Sequence, residues 1–507
     1  MANEDKNDRY GKVSFEAALD LAGFGLYSYQ VTALAGLIII AFGCIGFGTS
    51  FIMPTSACEL QTTGAQKGLI SSGPIIGIIV GAIISGYLGD KFGRQRTLLY
   101  ALLSSAALNA LASLSVNWVM LVVLQTLATF CAAGQFSVAM AYLSESVPVG
   151  KRNVSVFLVH SSLLISQGLM AAVAIPIAPL AFSIHLPALD IYWNSWRTLV
   201  LLFSAPSLLA ALWLSCVMES PKYVFAQGRE REALDILNAI HRWNRGKSAG
   251  DLRISRLAGD AREVSAPASS VEQVLSLFKP PLLKYTAIVT ALFSLQQHGA
   301  YTAWMPSIAN QFVRVIQTGE GLNKSICGIL SDSRDLPPDP DAAPCSLNLV
   351  TLLFILILGI AQTSTNVLLS MVVNCTGRRN MSMAVAAVAG AAGVLTALVP
   401  NAYASVALLV VFMLGIVSMG LYTAIAVALF PTHLRAFALA LTMTVGRLVT
   451  FAVIQVLNLL LESNCDVGFY VFNSLFAASA VILVFLPDDR RLRNPQQKSE
   501  INLEASS

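Results

Sequence analysis

Charge is scarce in this chain. Asp, Glu, Lys and Arg make up 12% of its 507 residues, against about 25% in a soluble domain. The formal net charge of +4 is too small to suggest a nucleic-acid partner. No Cys-x-x-Cys pair and no histidine cluster occurs, so no metal site and no cofactor is expected. A P-loop and a nucleophile–base pair are also missing, which leaves a catalytic reading unsupported. One further absence concerns mechanism. No Asp or Glu lies deep in any long apolar run, although a proton-driven membrane cycle usually needs a titratable group there. His160 and His298 are the two imidazoles at that depth.

What fills the chain is apolar, at 55% of residues. About 20 mostly apolar residues cross a bilayer as a helix. Twelve such runs can be read, at roughly 32–53, 68–88, 97–115, 118–142, 154–177, 197–217, 284–305, 348–373, 381–399, 404–429, 438–461 and 469–486. They are numbered here as spans 1 to 12. The expected fold is an all-α membrane protein with twelve transmembrane helices in two six-helix pseudo-repeats. Its parts are a cytoplasmic N-terminal segment (1–31), a first half (32–217), a cytoplasmic loop 6–7 with an amphipathic helix (218–283), a second half (284–487) containing an outer loop 7–8 (306–347), and a cytoplasmic tail (488–507). Residues 1–31 are polar and amphipathic, so no cleavable leader is expected and span 1 is expected to act as an uncleaved anchor.

Lys and Arg set the orientation. Of 32, 26 fall in loops that share the side of the N-terminus, five fall on the other side, and Arg447 lies within span 11. Both termini are therefore expected in the cytoplasm. Cys58, Cys327, Cys345 and Cys465 then lie outside, where disulfides form. Cys327 and Cys345 share loop 7–8 and are the expected pair. The sequon Asn323-Lys-Ser325 in the same loop is a glycosylation candidate.

The halves repeat each other. Gly93-Arg94-Gln-Arg96 matches Gly377-Arg378-Arg379, and Pro148-x-x-x-Arg152 matches Pro431-x-x-x-Arg435, at offsets of 284 and 283 residues. A duplicated six-helix unit with a site at the interface of its halves is a recurring transporter design. In loop 2–3, Gly86-Tyr-Leu-Gly-Asp90-Lys-Phe-Gly93-Arg94-Gln-Arg96 reads as a latch. Gly86 would let two helix ends approach, Asp90 would sit at the N-terminal end of a neighbouring helix, and Arg94 and Arg96 would reach carboxylates on the same face. The second half has Asn374 and Ala428 where the first has Asp90 and Glu145, so the first latch is expected to be the stronger.

This loop resembles the loop 2–3 signature of the major facilitator superfamily. Tyr142-Leu-Ser-Glu145-Ser-Val-Pro148-Val-Gly-Lys-Arg152 is similar to a segment of sugar porters, as is Glu219-Ser-Pro221-Lys222-Tyr223 after span 6. Phe15 to Tyr29, Cys58-Glu-Leu and Trp304-Met-Pro306 resemble the synaptic vesicle glycoprotein 2-like branch, which is related to organic ion and sugar porters. The resemblance implies a cytoplasmic gate of Gly86, Asp90, Gly93, Arg94, Arg96, Glu145, Arg152, Glu219, Arg378, Arg379 and Arg435.

Polar and aromatic residues inside the spans mark a candidate binding site. In span 7, Gln297, Tyr301 and Trp304 recur at i, i+4 and i+7 on one expected helix face, flanked by Gln296 and His298. Gln135, Tyr422, Gln455 and Asn458 are further candidates. Arg447 costs about 2.5–3.5 kcal/mol at a helix centre, and substrate, water or backbone carbonyls must offset that cost. The expected function is alternating-access movement of a small organic solute, facilitative or by exchange rather than proton-driven. The alternative is a non-transporting vesicle or surface glycoprotein, or receptor, on the same scaffold. The expected partners are the solute and the lipid bilayer, with no nucleic acid. A monomer is expected in the plasma membrane or an intracellular vesicle.

Overall fold

The computed structural model describes residues 12–180, 182–246, 252, 254, 256–258, 275–318, 322–335, 347–430 and 432–487. Ten helices among them are long and apolar enough to cross a membrane. The other two expected spans are helical but fall short for local reasons. Span 3, Arg94–Ala112, spends its first turn on Arg94 and Arg96. Span 7 is broken at Gln296–Gln297 into Leu282–Leu295 and His298–Thr318. Its second piece continues well into what was expected to be loop 7–8.

Spans 1 to 6 are Leu26–Ser56, Gly64–Phe92, Arg94–Ala112, Trp118–Ser146, Val149–Ala174 and Ser195–Leu214. Spans 8 to 12 are Leu349–Thr376, Arg378–Leu398, Ala402–Leu429, Thr432–Ser463 and Cys465–Val484. Shorter helices add Phe15–Ala22, Pro221–Ala226, Glu230–Arg245 and Ile326–Asp335. Two small two-stranded sheets accompany the helices. Lys12–Ser14 pairs in parallel with Arg256–Ala258, and Ile184–Leu186 pairs antiparallel with Ile191–Trp193.

The repeat extends to the caps. Asn117 accepts from Met120 N (2.8 Å) to start span 4, and Asn401 accepts from Ala404 N (3.1 Å) to start span 10. Each satisfies a backbone N–H that a helix start leaves open. Gly93 and Gly377 both adopt positive φ, +104° and +82°, which turns the chain from one span directly into the next.

Packing differs between the two faces of the bundle. The face carrying Lys91, Arg94, Arg152 and Arg378 is called the basic face. On the opposite face one apolar core runs through both halves, joining Phe51, Met170 and Phe203 to Tyr301, Trp304, Phe412 and Phe469. Toward the basic face the core divides. Tyr27, Leu98, Tyr142 and Leu214 form one cluster in the first half, and Val289, Ile425, Phe430 and Leu483 form another in the second. The polar bonds between halves follow the same division. Asn458 Nδ2 donates to Gly64 O (2.7 Å), Gln455 Nε2 to Ser72 Oγ (2.6 Å), Gln167 Nε2 to Thr302 O (3.4 Å), and, nearest the centre, Asn366 Nδ2 to Ser161 Oγ (3.0 Å).

Cys327 is bonded to Cys465, with Cα atoms 5.5 Å apart, and not to Cys345 as expected. The helix Ile326–Asp335 folds back over the bundle and brings Cys327 to the start of span 12, a proximity that loop membership alone does not reveal. Cys58 is also disulfide-bonded, while Cys345 lies outside the described residues. Asn323 sits exposed in the turn before this helix.

Candidate functional site

On the basic face, Arg94 is the centre of the latch. Its Nε donates to Glu145 Oε2 (3.1 Å), Nη2 lies 3.0 Å from both Glu145 Oε1 and Asp90 Oδ1, and Nη1 donates to Gly89 O (2.9 Å). Tyr223 lies under its guanidinium, 5.2 Å away. Glu145 also accepts from Ser220 Oγ (2.5 Å). Glu219 fills the position expected of Asp90. Its Oε1 accepts from Arg94 N (3.1 Å) and Gln95 N (3.0 Å), so a carboxylate lies on the positive start of span 3. Gly93 suits this turn because its φ of +104° is one that side-chain-bearing residues rarely adopt, and a Cβ would crowd Glu219 Oε2 at 2.4 Å.

Several expected gate roles change. Asp90 lies in the last turn of span 2 with a side chain 78% exposed. Gly86 faces open space; the close approach of span 2 to span 4 occurs at Gly81, next to Phe130 O. Arg152 does not join the latch. It pairs with Glu16 (2.6 Å), which also reaches Lys222 (3.6 Å), and Asp20 accepts from Val149 N (2.9 Å). The N-terminal helix is thereby held against the first half. Arg96 is exposed, with no ion pair to a described residue. In the second half, Arg378 Nη1 donates to Ala424 O (2.9 Å), a carbonyl replacing the missing carboxylates. Arg379 follows it at the start of span 9, and the side chain of Arg435 lies outside the described residues. The described bonds of Arg94 all stay within the first half and its loop, so the latch clamps one half to itself.

The exposed Asp90–Arg94 pair is worth about 0–1 kcal/mol, whereas Glu145 is largely buried and holds two partners. Glu145→Gln is therefore expected to lower thermal stability clearly more than Asp90→Asn. A larger fall in melting temperature for Asp90→Asn would sink this ranking.

Near the centre, spans 7 and 10 are both irregular. Span 10 passes through a 3-10 turn at Gly415–Val417. The carbonyls before it are met by neighbours: His298 Nε2 bonds Phe412 O (2.8 Å) and Gln362 Nε2 donates to Met413 O (3.1 Å). Broken helices persist in a membrane where neighbours satisfy the backbone groups they release. His298 thus serves span 10. It is fully buried between Phe412 and Phe476, a packing role rather than an exposed site.

Other candidates pack or bond between helices. Tyr301 packs edge-on to Phe412 and beside Phe469. Tyr422 hydroxyl pairs with Ser479 (3.1 Å), and Gln135 Nε2 donates to Ser105 Oγ (2.7 Å). Gln455 and Asn458 close the interface between halves. Gln297 lies in the break, where its Nε2 bonds Ser294 O, so it shares no helix face with Tyr301 and Trp304.

Six candidates keep a buried polar atom without a hydrogen-bond partner among the described residues: Gln296 Nε2, Gln297 Oε1 and His298 Nδ1 at the break, the Tyr301 hydroxyl and Trp304 Nε1 further along span 7, and Gln135 Oε1 in span 4. Arg447 is carried to the level of the break by span 11. A Cβ on the preceding Gly446 would lie 2.9 Å from Phe293 Cβ, and Thr450 Cγ2 lies 3.3 Å from where a Cβ of Gly299 would sit. No ion pair joins Arg447 to a described residue.

Two clusters were missed in the sequence. One is Glu16 with Arg152. The other, on the opposite face, is Glu59 with Arg197 in the first turn of span 6.

A family model described as Major Facilitator Superfamily matches residues 35–454. The chain belongs to the major facilitator superfamily. Human synaptic vesicle glycoprotein 2B (Homo sapiens) is 26% identical over 249 residues, covering 48% of this chain and 36% of that protein. Solute carrier family 22 member 7 of Bos taurus is 33% identical over 239 residues, covering 46% and 40%. These matches span less than half the length of either relative. Among solved structures, the partially occluded, inward-open xylose transporter XylE from E. coli matches 91% of this chain and all of its own, at a TM-score of 0.64 and 15% identity. The major facilitator fold expected from the latch and the repeat is therefore the fold of this chain.

Proposed function

We propose that this major facilitator is a secondary transporter that moves a small organic solute by alternating access. The observation that carries the reading is the divided core. The halves share one apolar core on the face opposite the basic loops and separate cores toward the basic face. This is the packing of a carrier closed on one side. The basic face is cytoplasmic on the Lys and Arg distribution, so the closed side is the outer or luminal one. Transport is facilitative or by exchange, since the spans hold no acidic group deep in the bilayer.

The solute carries negative charge in this reading. Arg447 has no described carboxylate partner and sits level with the polar atoms of the span 7 break. An anion there would offset the cost of placing the arginine in the membrane. Uptake into proteoliposomes from a mixed library of organic anions, cations and sugars, with and without a pH gradient, tests it. Saturable uptake of an anion, insensitive to the gradient and reduced at least about tenfold by Arg447→Gln, is expected, since tenfold is about 1.4 kcal/mol of lost interaction. Uptake of cations alone would overturn the charge assignment. No flux from folded protein would favour the non-transporting glycoprotein, a reading that the similarity to synaptic vesicle glycoprotein 2B keeps in view.

A further inference from the structure

One exposed cluster at the basic face belongs neither to the latch nor to the central site. Span 1 begins with Leu26, 65% exposed, and Tyr29, 63% exposed. With Ala33 they form an exposed stripe along the first turns of that span. Trp243, near the end of the helix Glu230–Arg245, is 53% exposed and lies edge-on to Tyr27 at the start of span 1, with ring centroids 6.5 Å apart. Arg242 and Arg245, on either side of Trp243, are exposed in the last turn of the same helix.

The cluster is rigidly mounted. Asn244 accepts from Tyr27 N (3.0 Å) and donates to Gly23 O (2.6 Å), which pins the helix end to the entry of span 1. Ala233, Leu237 and Ile240 bury the other side of the helix. An exposed tryptophan is therefore fixed beside the first exposed turn of a membrane span, between two cations.

We propose that this end of loop 6–7 docks on the membrane surface and binds anionic phospholipid headgroups. Tryptophan and tyrosine favour the headgroup level, and arginines near the surface are drawn to anionic lipid. The exposed Leu26, Tyr29 and Ala33, followed by the half-buried Leu37 and Ile40, lie on a helix long and apolar enough to cross a bilayer, so the occupant is the adjoining leaflet. The contact would couple lipid charge to the clamp that holds the N-terminal segment. It depends on the membrane fold and not on the transport reading.

The full chain, reconstituted in vesicles containing lipids brominated near the headgroup, tests this. The quenched tryptophan signal of the parent minus that of Trp243→Phe isolates Trp243. Bromine on phosphatidylglycerol is expected to quench this component more than bromine on phosphatidylcholine at equal mole fraction. Arg242→Gln with Arg245→Gln is expected to reduce that preference, by roughly fivefold per arginine. Trp243→Phe keeps a ring against Tyr27, so the fold is retained. A Trp243 component that brominated lipid leaves unquenched, as under a covering protein segment, overturns the proposal. Equal quenching by the two headgroups also overturns it.

Discussion

Glu59→Ala is expected to destabilise the protein by about 3 kcal/mol, more than any single change in the basic-face latch. Arg197 is fully buried at the start of span 6, with its guanidinium stacked on Trp196 at 4.4 Å. It donates to Glu59 Oε1 (2.5 Å) and to the carbonyls of Ser113 (2.6 Å), Ser115 (3.0 Å) and Tyr192 (3.0 Å). The other oxygen of Glu59 accepts from Asn194 Nδ2 (2.6 Å) and Trp196 Nε1 (2.7 Å). One ion pair thus ties the ends of spans 1, 3 and 6 together. Removing the carboxylate leaves a buried cation with neutral acceptors alone and strands two donors. Losing one partner of a buried pair costs about 3–5 kcal/mol; the lower end applies because Glu59 is 24% exposed. Arg197→Lys is also expected to fail, since an ammonium lacks the planar fork that serves four acceptors. Glu59→Gln combined with Arg197→Met should be less harmful than the sum of the two, because no charge is then stranded. Melting temperatures of the purified variants check this. A Glu59→Ala protein that melts with the parent would remove the pair from any account of stability.

This pair also marks the limit of what sequence reading reached. The spans, the repeat and the loop 2–3 motif were legible because they depend on local apolar length and fixed offsets. In the latch region, Arg94, Glu145 and Glu219 lie in recognisable motifs and do meet, whereas the places of Asp90, Gly86, Arg96 and Arg152 depend on contacts that no motif records. Arg197 and Glu59 are 138 residues apart, and nothing local says that one meets the other. Glu16 and Arg152 pair over a similar distance.

The central site was misread for a related reason. A helical face was assigned to Gln297, Tyr301 and Trp304 by continuing a 3.6-residue period through span 7. The period holds from His298 onward but not across the break. Gln296, Gln297 and His298 have ordinary helix propensity, so sequence alone does not place the interruption. What decides it is the irregular turn of span 10 opposite, whose carbonyl His298 takes up. Likewise Gly86 and Gly81 are equivalent as letters; Phe130 on span 4 makes close approach a property of Gly81.

Gly359→Val is expected to shift the protein away from the closed arrangement of the face opposite the basic loops. Spans 5 and 8 meet backbone to backbone between the two halves. A Cβ on Gly359 would lie 2.8 Å from Gly168 N and 2.9 Å from Gly168 Cα. Both are main-chain atoms that no rotamer change can move. Gly168 faces the same crowding less severely, 3.2 Å from Leu356 O. A side chain at 359 must therefore be accommodated by moving one half relative to the other. The contact lies on the side of the shared core, so separation there pulls Gln455 from Ser72 and Asn458 from Gly64. Interfaces of this kind switch between discrete packings instead of deforming smoothly. The two halves should open on the outer side, and net solute flux should fall at least about tenfold, since one side can no longer close. That corresponds to roughly 1.4 kcal/mol against the closed state. The readout is a reporter thiol at Ser72→Cys, which the shared interface covers: Gly359→Val should expose it to a membrane-impermeant reagent added outside, while Gly86→Val, pointing into open space, should not. An unreactive thiol in a folded Gly359→Val protein would mean that spans 5 and 8 absorb the wedge without moving the halves, and the glycine pair would then be a packing detail rather than a pivot.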